Sequence, residues 1–214
     1  MMQDPPPGEA PSPLVEVLCL AGGAPGSLEL FLQSWINQSA PNWRLTFWRE
    51  GREEVRDPIL EDYAAMDHRI RQRTAPVHRA GEGPGLREEA LREATGEYVL
   101  LARVRDYYIP RFVEFTTGAI RGTAADVVLF DLIHGQGREN AGDPGQESYR
   151  LFRTEYKPSR LEIGAALVRT PLAREAAPRA ASLDGTATFF SDLLRLRAGR
   201  LSVCKIPQVL LVLN

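Results

Sequence analysis

The sequence predicts an α/β domain in which helices flank a mainly parallel central sheet. Short apolar runs alternate with stretches whose apolar residues recur at helical spacing, which is the pattern of parallel strands joined by helices. The chain has 214 residues, 43% of them hydrophobic, which is enough for one domain with a substantial core. We therefore expect a single domain over residues 14–214. Residues 1–13 are rich in proline and glycine and are expected to be a disordered lead-in.

The first part of this domain reads as strand, loop, helix and strand. Leu14–Leu20 is apolar apart from Glu16 and predicts a strand that ends at the glycine-rich loop Ala21–Gly26. Apolar residues then recur at helical spacing from Leu28 to Trp35, with Ser27 as the expected N-cap. Trp43–Phe47 alternates between apolar and polar residues, as a half-buried strand does.

The same order continues in the next part. Leu60–Asp67 has the spacing of a second helix. The glycine-rich loop Gly81–Gly85 leads into a third helix, Leu86–Ala94, and Gly96 stands where a glycine ends a helix. Tyr98–Leu101 is wholly apolar apart from the tyrosine hydroxyl and predicts a strand that is buried on both faces.

Downstream, the pattern predicts two strands, a helix and a final extended segment. In chain order these are Asp126–Phe130, Ile163–Val168, Thr188–Arg197 and Cys204–Leu213, and a polar glycine-rich loop covers Gly135–Gly145. Ligands of parallel α/β sheets bind beyond the carboxyl ends of the strands. The loops after the first strands are therefore the expected position of a functional site.

Charge and cysteine content narrow the class of protein. The formal net charge is −2 and no long run of like charges occurs, which argues against a nucleic acid as partner. Cys19 and Cys204 lie far apart in apolar runs, where free thiols act as small hydrophobes, and this favours a reducing, cytoplasmic setting. The sequence shows no signal-peptide pattern, and no apolar run is long enough for a transmembrane segment.

Three patterns occur in an order and spacing that resemble family 2 glycosyltransferases. Gln33–Trp43 contains S-x-x-x-Q-x-x-x-x-W, and Arg87 follows a glycine-rich turn where the family has Arg-Asn. Ala94–Pro110, ATGEYVLLARVRDYYIP, parallels A-x-G-E-Y-I-x-F-L-D-x-D-D-x-x-x-P. The resemblance covers about residues 14–134. It implies the GT-A fold and the transfer of a sugar from a nucleotide-diphosphate donor to a hydroxyl of a glycan or polysaccharide acceptor.

The metal-binding residues of that family are replaced in this sequence. In the family an Asp-x-Asp pair holds a divalent metal at the donor diphosphate, but Arg103 and Arg105 stand at these positions and only the following Asp106 remains. Two guanidiniums repel a dication by on the order of 4 kcal/mol for each close pair near a protein surface. The sequence therefore predicts no metal and no other cofactor. In an extended segment, side chains two residues apart point to the same side. The two arginines would then bind the diphosphate directly.

The resemblance also implies roles for residues outside this motif. Glu50 is the counterpart of an acid that marks the nucleotide-binding strand end, although an exposed turn acid is an equal alternative. Arg87 is expected to point toward the same cleft. The family's catalytic base belongs to an acidic pair before an L-R-L helix; Leu194–Leu196 matches that helix, but Thr188 and Phe189 occupy the acidic positions.

Two functions stay open at this point. Asp184 and Asp192 lie near the L-R-L helix and are the candidate bases, although neither is in register. One hypothesis is a metal-independent glycosyltransferase in which arginines replace the metal. The other is a catalytically inactive protein of the same fold that acts as a binding or interaction module. The missing base is the weakness of the first hypothesis, and the combined loss of metal ligands and base is the strength of the second. The two are weighed about equally, and neither excludes a protein partner or a homo-oligomer.

Overall fold

The computed structural model describes residues 14–20, 25–51, 57–75, 84–136, 148–176 and 186–213. Within these ranges, nine strands form one sheet: β1 Val15–Leu20, β2 Trp43–Glu50, β3 Ile70–Ala75, β4 Tyr98–Ala102, β5 Asp106–Tyr108, β6 Val127–Gln136, β7 Ser148–Phe152, β8 Ala166–Arg169 and β9 Val203–Leu213. The same ranges contain six α-helices: α1 Pro25–Ile36, α2 Pro58–Met66, α3 Pro84–Glu93, α4 Phe112–Thr123, α5 Thr170–Ala176 and α6 Thr186–Leu196. A short 3₁₀ helix, Ile163–Ala165, precedes β8.

The strands follow the order β3-β2-β1-β4-β8-β6-β9-β5, and β7 pairs with β6. The first four strands in this order, β3, β2, β1 and β4, are parallel to one another. Strand β8 runs antiparallel to both of its neighbours, whereas β6 and β9 are parallel. The α/β fold is confirmed. The prediction that β1, β2 and β4 are neighbours in one sheet is also confirmed. The antiparallel pairings of β8, β7 and β5 make the far half of the sheet mixed.

Each face of the sheet buries its own apolar core. Successive residues of a strand point to opposite faces, so Val17 belongs to one core and Leu18 to the other. Helices α1, α2 and α4 cover the first face, where Phe31, Trp35 and Phe112 are buried. Helices α3, α5 and α6 cover the second face. None of the described helices combines the length and apolarity needed to cross a membrane.

Some element boundaries differ from those that the sequence predicts. Helix α1 begins at Pro25 rather than after Ser27, because proline's fixed φ suits the first turn of a helix. Helix α2 ends at Met66, and Asp67 is its C-cap instead of a helical residue. At the other end, the Asp57 carboxylate is the N-cap and accepts hydrogen bonds from the first turn.

A buried carboxylate joins β1 to the chain before β4. Glu16 is 4% exposed. Its Oε2 accepts hydrogen bonds from the backbone N–H groups of Thr95, at 2.6 Å, and Gly96, at 2.8 Å. These bonds bring the backbones so close that a Cβ at position 96 would lie 2.7 Å from the Cβ of Glu16. Glycine is therefore required here for the close approach.

We expect Gly96→Ala to lower the free energy of unfolding by about 1–3 kcal/mol, the usual cost of overpacking. The matched control is Gly118→Ala in α4, where a Cβ would meet nothing within 4 Å. There the substitution should be neutral or stabilising, because alanine favours helix by up to about 1 kcal/mol over glycine. Urea denaturation checks both variants, and equal midpoints would contradict the packing argument.

Candidate functional site

A cleft opens at the carboxyl ends of β1 and β4. Leu20, the last residue of β1, and Ala102, the last of β4, line one side of it. Residues 158–163 line the other side, together with the first residues of α6, Thr186 and Ala187. The cavity has a volume of about 480 Å³, which suits a small molecule. Ligands of parallel α/β sheets bind beyond the carboxyl ends of the strands, which is where this cavity lies.

Arg87 lines this cleft from the first part of α3. Its neighbours Leu86 and Ala90 are buried in the second core and fix the helix against the sheet. The Nη1 atom of Arg87 is buried and has no hydrogen-bond partner among the described residues. Burial, together with the nearby Arg103 guanidinium, lowers the pKa of Arg87. A partly buried cation that has no counterion within the described ranges is costly, so this position suits an anionic ligand.

Arg103 enters the cleft from the residue after β4. Its Nη1 lies 3.2 Å from Oε2 of Glu162, and both side chains are partly exposed. An exposed ion pair of this kind contributes at most about 1 kcal/mol, so an anionic ligand can exchange for the carboxylate. Arg160 lines the same cleft. Among the described lining residues, three guanidiniums therefore face one carboxylate.

The segment from Arg103 to Asp106 is a turn, and the expectation of an extended segment was wrong. The N–H of Asp106 donates to the carbonyl of Arg103 at 3.0 Å, and the N–H of Arg103 donates to Oδ2 of Asp106 at 3.1 Å. The rule that residues two apart share a side holds for strands and fails in a turn. Arg103 lines the cleft, whereas Arg105 is exposed and is not among the described residues that line it.

Asp106 lies behind the cleft wall and not in the cleft. It is 1% exposed, and its Oδ1 has no hydrogen-bond partner within the described chain. Burial raises the pKa of Asp106 to about 6. The carboxylate packs against Gly164 so closely that a Cβ there would lie 2.7 Å from Oδ2. Asp106 thus connects the Arg103 turn with the 3₁₀ helix of the opposite wall.

The remaining predicted site residues stay predictions. Glu50 is the last residue of β2, at the same edge of the sheet, but its side chain lies outside the described part of the structure. Asp184 lies wholly outside the described residues. Asp192 is 1% exposed, and its Oδ1 is 2.9 Å from Nη1 of Arg195. It is not one of the described residues that line the cleft.

Sequence reasoning did not identify Arg160, Glu162 or the start of α6 as part of the site. These residues lie outside the segment that carries the resemblance. The structure brings them to the cleft because β8 runs antiparallel to β4, which places the amino end of β8 at the carboxyl end of β4. A polar turn before a strand, at residues 158–162, was the available signal, but its direction could not be read from the sequence.

No protein-family model matches this sequence, and no curated protein matches it either. Solved structures do match. Residues 1–349 of S. aureus TarS superpose with a TM-score of 0.67 at 16% identity, over 94% of this chain and 60% of that one. The same protein in complex with UDP-GlcNAc gives a TM-score of 0.66 at 13% identity, over 92% and 57%. The fold is that of the GT-A glycosyltransferases.

A second GT-A structure has a similar relation to this chain. The mannosyltransferase PcManGT from Pyrobaculum calidifontis, in complex with GDP-Man and Mn²⁺, gives a TM-score of 0.61 at 12% identity, over 94% of this chain and 56% of that one. The chain thus spans about 60% or less of the length of these structures. The predicted GT-A fold is confirmed, and at these identities the likeness concerns the fold alone.

Proposed function

We propose that this protein is a metal-independent glycosyltransferase, which binds the diphosphate of a nucleotide sugar through arginine and transfers the sugar to an acceptor hydroxyl. The observation that carries the proposal is Arg87. Its Nη1 is buried without a partner among the described residues and lies beside a second arginine, Arg103, in a cleft at the ends of β1 and β4. GT-A neighbours that bind UDP-GlcNAc and GDP-Man support the choice of ligand class.

A divalent metal does not fit these residues. Mg²⁺ and Mn²⁺ need oxygen ligands, whereas the described cleft walls offer one carboxylate, Glu162, which is already paired with Arg103. No group of three or more His, Cys, Asp or Glu residues suited to a metal occurs in the described ranges. The charge of the diphosphate would instead be balanced by Arg87, Arg103 and the N–H groups at the start of α6.

These groups would also promote the reaction. As the bond between the anomeric carbon and the diphosphate oxygen breaks, negative charge grows on the leaving diphosphate. Guanidiniums already fixed around that charge stabilise the transition state more than the ground state. Arg87 is held by the packing of α3, so it needs little rearrangement when the charge develops.

One observation favours the alternative of a nucleotide-sugar binding module without turnover. Asp192, a candidate base from the sequence, is buried and paired with Arg195. Measuring the release of nucleoside diphosphate from a bound sugar nucleotide separates the two functions, because a binding module releases none.

The first test is calorimetric titration with UDP, GDP and their sugars, with and without Mn²⁺ or Mg²⁺. We expect binding without metal that added metal does not tighten and that salt weakens. Arg103→Ala should weaken nucleoside diphosphate binding by about 1.5–3 kcal/mol, or about 10- to 150-fold, the range for a hydrogen bond to a charged group. Arg105→Ala is the matched control and should have a much smaller effect, because Arg105 is not among the described lining residues.

Two results would contradict the proposal. If neither UDP nor GDP binds at millimolar concentration, the transferase function is wrong although the fold stands. If binding appears only with metal, the metal-independent mechanism is wrong. An Arg105→Ala effect as large as that of Arg103→Ala would show that the turn positions both guanidiniums at the ligand.

A further inference from the structure

A second cavity opens beside the cleft. It has a volume of about 520 Å³ and lies against the second half of β6 and the ends of β7 and β9, where Leu132, Phe152 and Leu213 line it. Two residues, Arg160 and Glu162, line both cavities. The two cavities are therefore neighbours that share a wall, and a group on Glu162 is accessible from either side.

The lining of the second cavity suits a molecule that carries many hydroxyl groups. Phe152 is 39% exposed and offers an aromatic surface beside the His134 ring, with the ring centres 6.2 Å apart. The buried Oγ1 of Thr154 has no hydrogen-bond partner in the described part of the chain. Arg153 adds further donors. Apolar ring faces with a few directional polar groups are the usual environment of sugars and polyols.

We infer that the second cavity binds the hydroxyl-bearing acceptor, a sugar or polyol, and that Glu162 is the base that takes the proton from the acceptor hydroxyl. This inference rests on the proposed function, since it places the acceptor next to the donor cleft. A general base must lie within hydrogen-bond reach of the hydroxyl it deprotonates. Because Glu162 lines both cavities, a hydroxyl bound at the shared wall would come within its reach.

Two other carboxylates within the described ranges are less suited to this role. Glu155 also lines the second cavity, but it forms an ion pair with Lys157 and does not line the donor cleft. That lysine lowers the pKa of Glu155, which makes it a weaker base. Asp192 is buried and lines neither cavity.

The ion pair between Glu162 and Arg103 connects donor binding with acceptor activation. When the diphosphate binds the Arg103 guanidinium, the ion pair with Glu162 breaks. The carboxylate of Glu162 can then accept a proton. The acceptor oxygen then forms a bond to the anomeric carbon while its proton moves to Glu162. The bond from the anomeric carbon to the diphosphate oxygen breaks, and its electron pair leaves with the nucleoside diphosphate, whose charge Arg87 and Arg103 balance.

The test uses the full chain and the UDP- or GDP-sugar that binds most tightly. The release of nucleoside diphosphate is measured in water alone and with a set of free sugars and polyols as acceptors. We expect Glu162→Gln to lower this release by at least about 100-fold, the usual contribution of a general base. Its affinity for nucleoside diphosphate should be equal or up to several-fold higher, because a carboxylate that competes for Arg103 is removed.

Glu97→Gln is the matched control. It makes the same chemical change on an exposed residue just before β4, at the opposite end of that strand from Arg103, and should leave release and affinity unchanged. As a second readout, formate should restore part of the release in Glu162→Ala, because it can replace the missing carboxylate. A purely structural role for Glu162 gives no such rescue.

The outcomes separate this inference from the proposed function. Unchanged release in Glu162→Gln, or a loss of release that is matched by an equal loss of nucleoside diphosphate affinity, overturns the base assignment. So does a wild-type protein that binds the sugar nucleotide but releases no nucleoside diphosphate, and that result also selects the binding module. Absence of nucleotide binding refutes the proposed function itself.

Discussion

Arg87→Met is expected to lower nucleoside diphosphate affinity by at least about 10- to 100-fold while it stabilises the ligand-free protein. The loss follows from the removal of a charge-assisted hydrogen bond in a partly buried site. The gain follows because Nη1 is buried without a partner in the described chain, and an unpaired polar group of this kind costs about 1–3 kcal/mol. Methionine has a similar length and no charge. Calorimetric titration measures the first effect and urea denaturation the second.

Arg92→Met is the matched control on the same helix. Arg92 is exposed and forms a surface ion pair with Glu89, so neither nucleotide affinity nor the urea midpoint should change measurably. If Arg87→Met binds nucleoside diphosphate as tightly as the wild type, the assignment of Arg87 to an anion-binding site is wrong. If it instead destabilises the protein, the guanidinium has a partner that balances its charge in the ligand-free state.

Asp106→Asn is expected to stabilise the protein near pH 7.5 by up to about 3 kcal/mol, at 1.36 kcal/mol per pKa unit. Burial raises the pKa of Asp106 from 3.8 to about 6, so the folded state binds more protons than the unfolded state between these values. The stability that Asp106 contributes is therefore complete below about pH 4 and is lost as the pH rises through about 6. Asparagine keeps a carbonyl acceptor for the N–H of Arg103 and has no charge to desolvate. Urea denaturation from pH 4 to 8 measures the difference.

Asp67→Asn is the control with the opposite sign. The hydrogen bonds from Arg69 lower the pKa of Asp67, so its contribution is present at neutral pH and is lost as the pH falls. This substitution should destabilise the protein near pH 7.5 and lose its effect in acid.

The groups whose charges act on Asp106 are Arg103, Arg105 and Glu162. A wild-type stability that does not fall between pH 4 and 6, relative to Asp106→Asn, would show that these groups offset the burial.

The centre of the fold could be predicted because its strands are apolar on both faces. β1 and β4 are almost entirely buried, so runs that are apolar apart from Glu16 mark them in the sequence. β3 reads IRQRTA and is an edge strand whose side chains are largely exposed, so it leaves little hydrophobic signal. β5 has only three residues, too few for any periodicity. These two strands were missed for that reason.

Only the part of the site formed by the carboxyl ends of the parallel strands could be predicted from the sequence. The position of Arg103 follows from its place after a central strand, and the cleft lies where such a sheet requires it. The turn that separates Arg105 from Arg103 depends on Asp106 accepting a backbone hydrogen bond, which residue spacing does not show. Glu162 reaches the cleft through the reversal of β8, a long-range pairing that no local pattern encodes.

The wall of the cleft formed by residues 158–163 lies late in the chain, so the cleft is completed late in synthesis. Arg103 leaves the ribosome 59 residues before its partner Glu162. At typical rates of about 5–20 residues per second, the parallel strands β1 to β4 exist for roughly 3–12 s before the opposite wall is made. During this interval the second face of the sheet lacks α5 and α6, so its apolar residues remain open to chaperones or to aggregation. The proposed nucleotide ligand would not protect the nascent chain at that stage, because the cavity has only one wall.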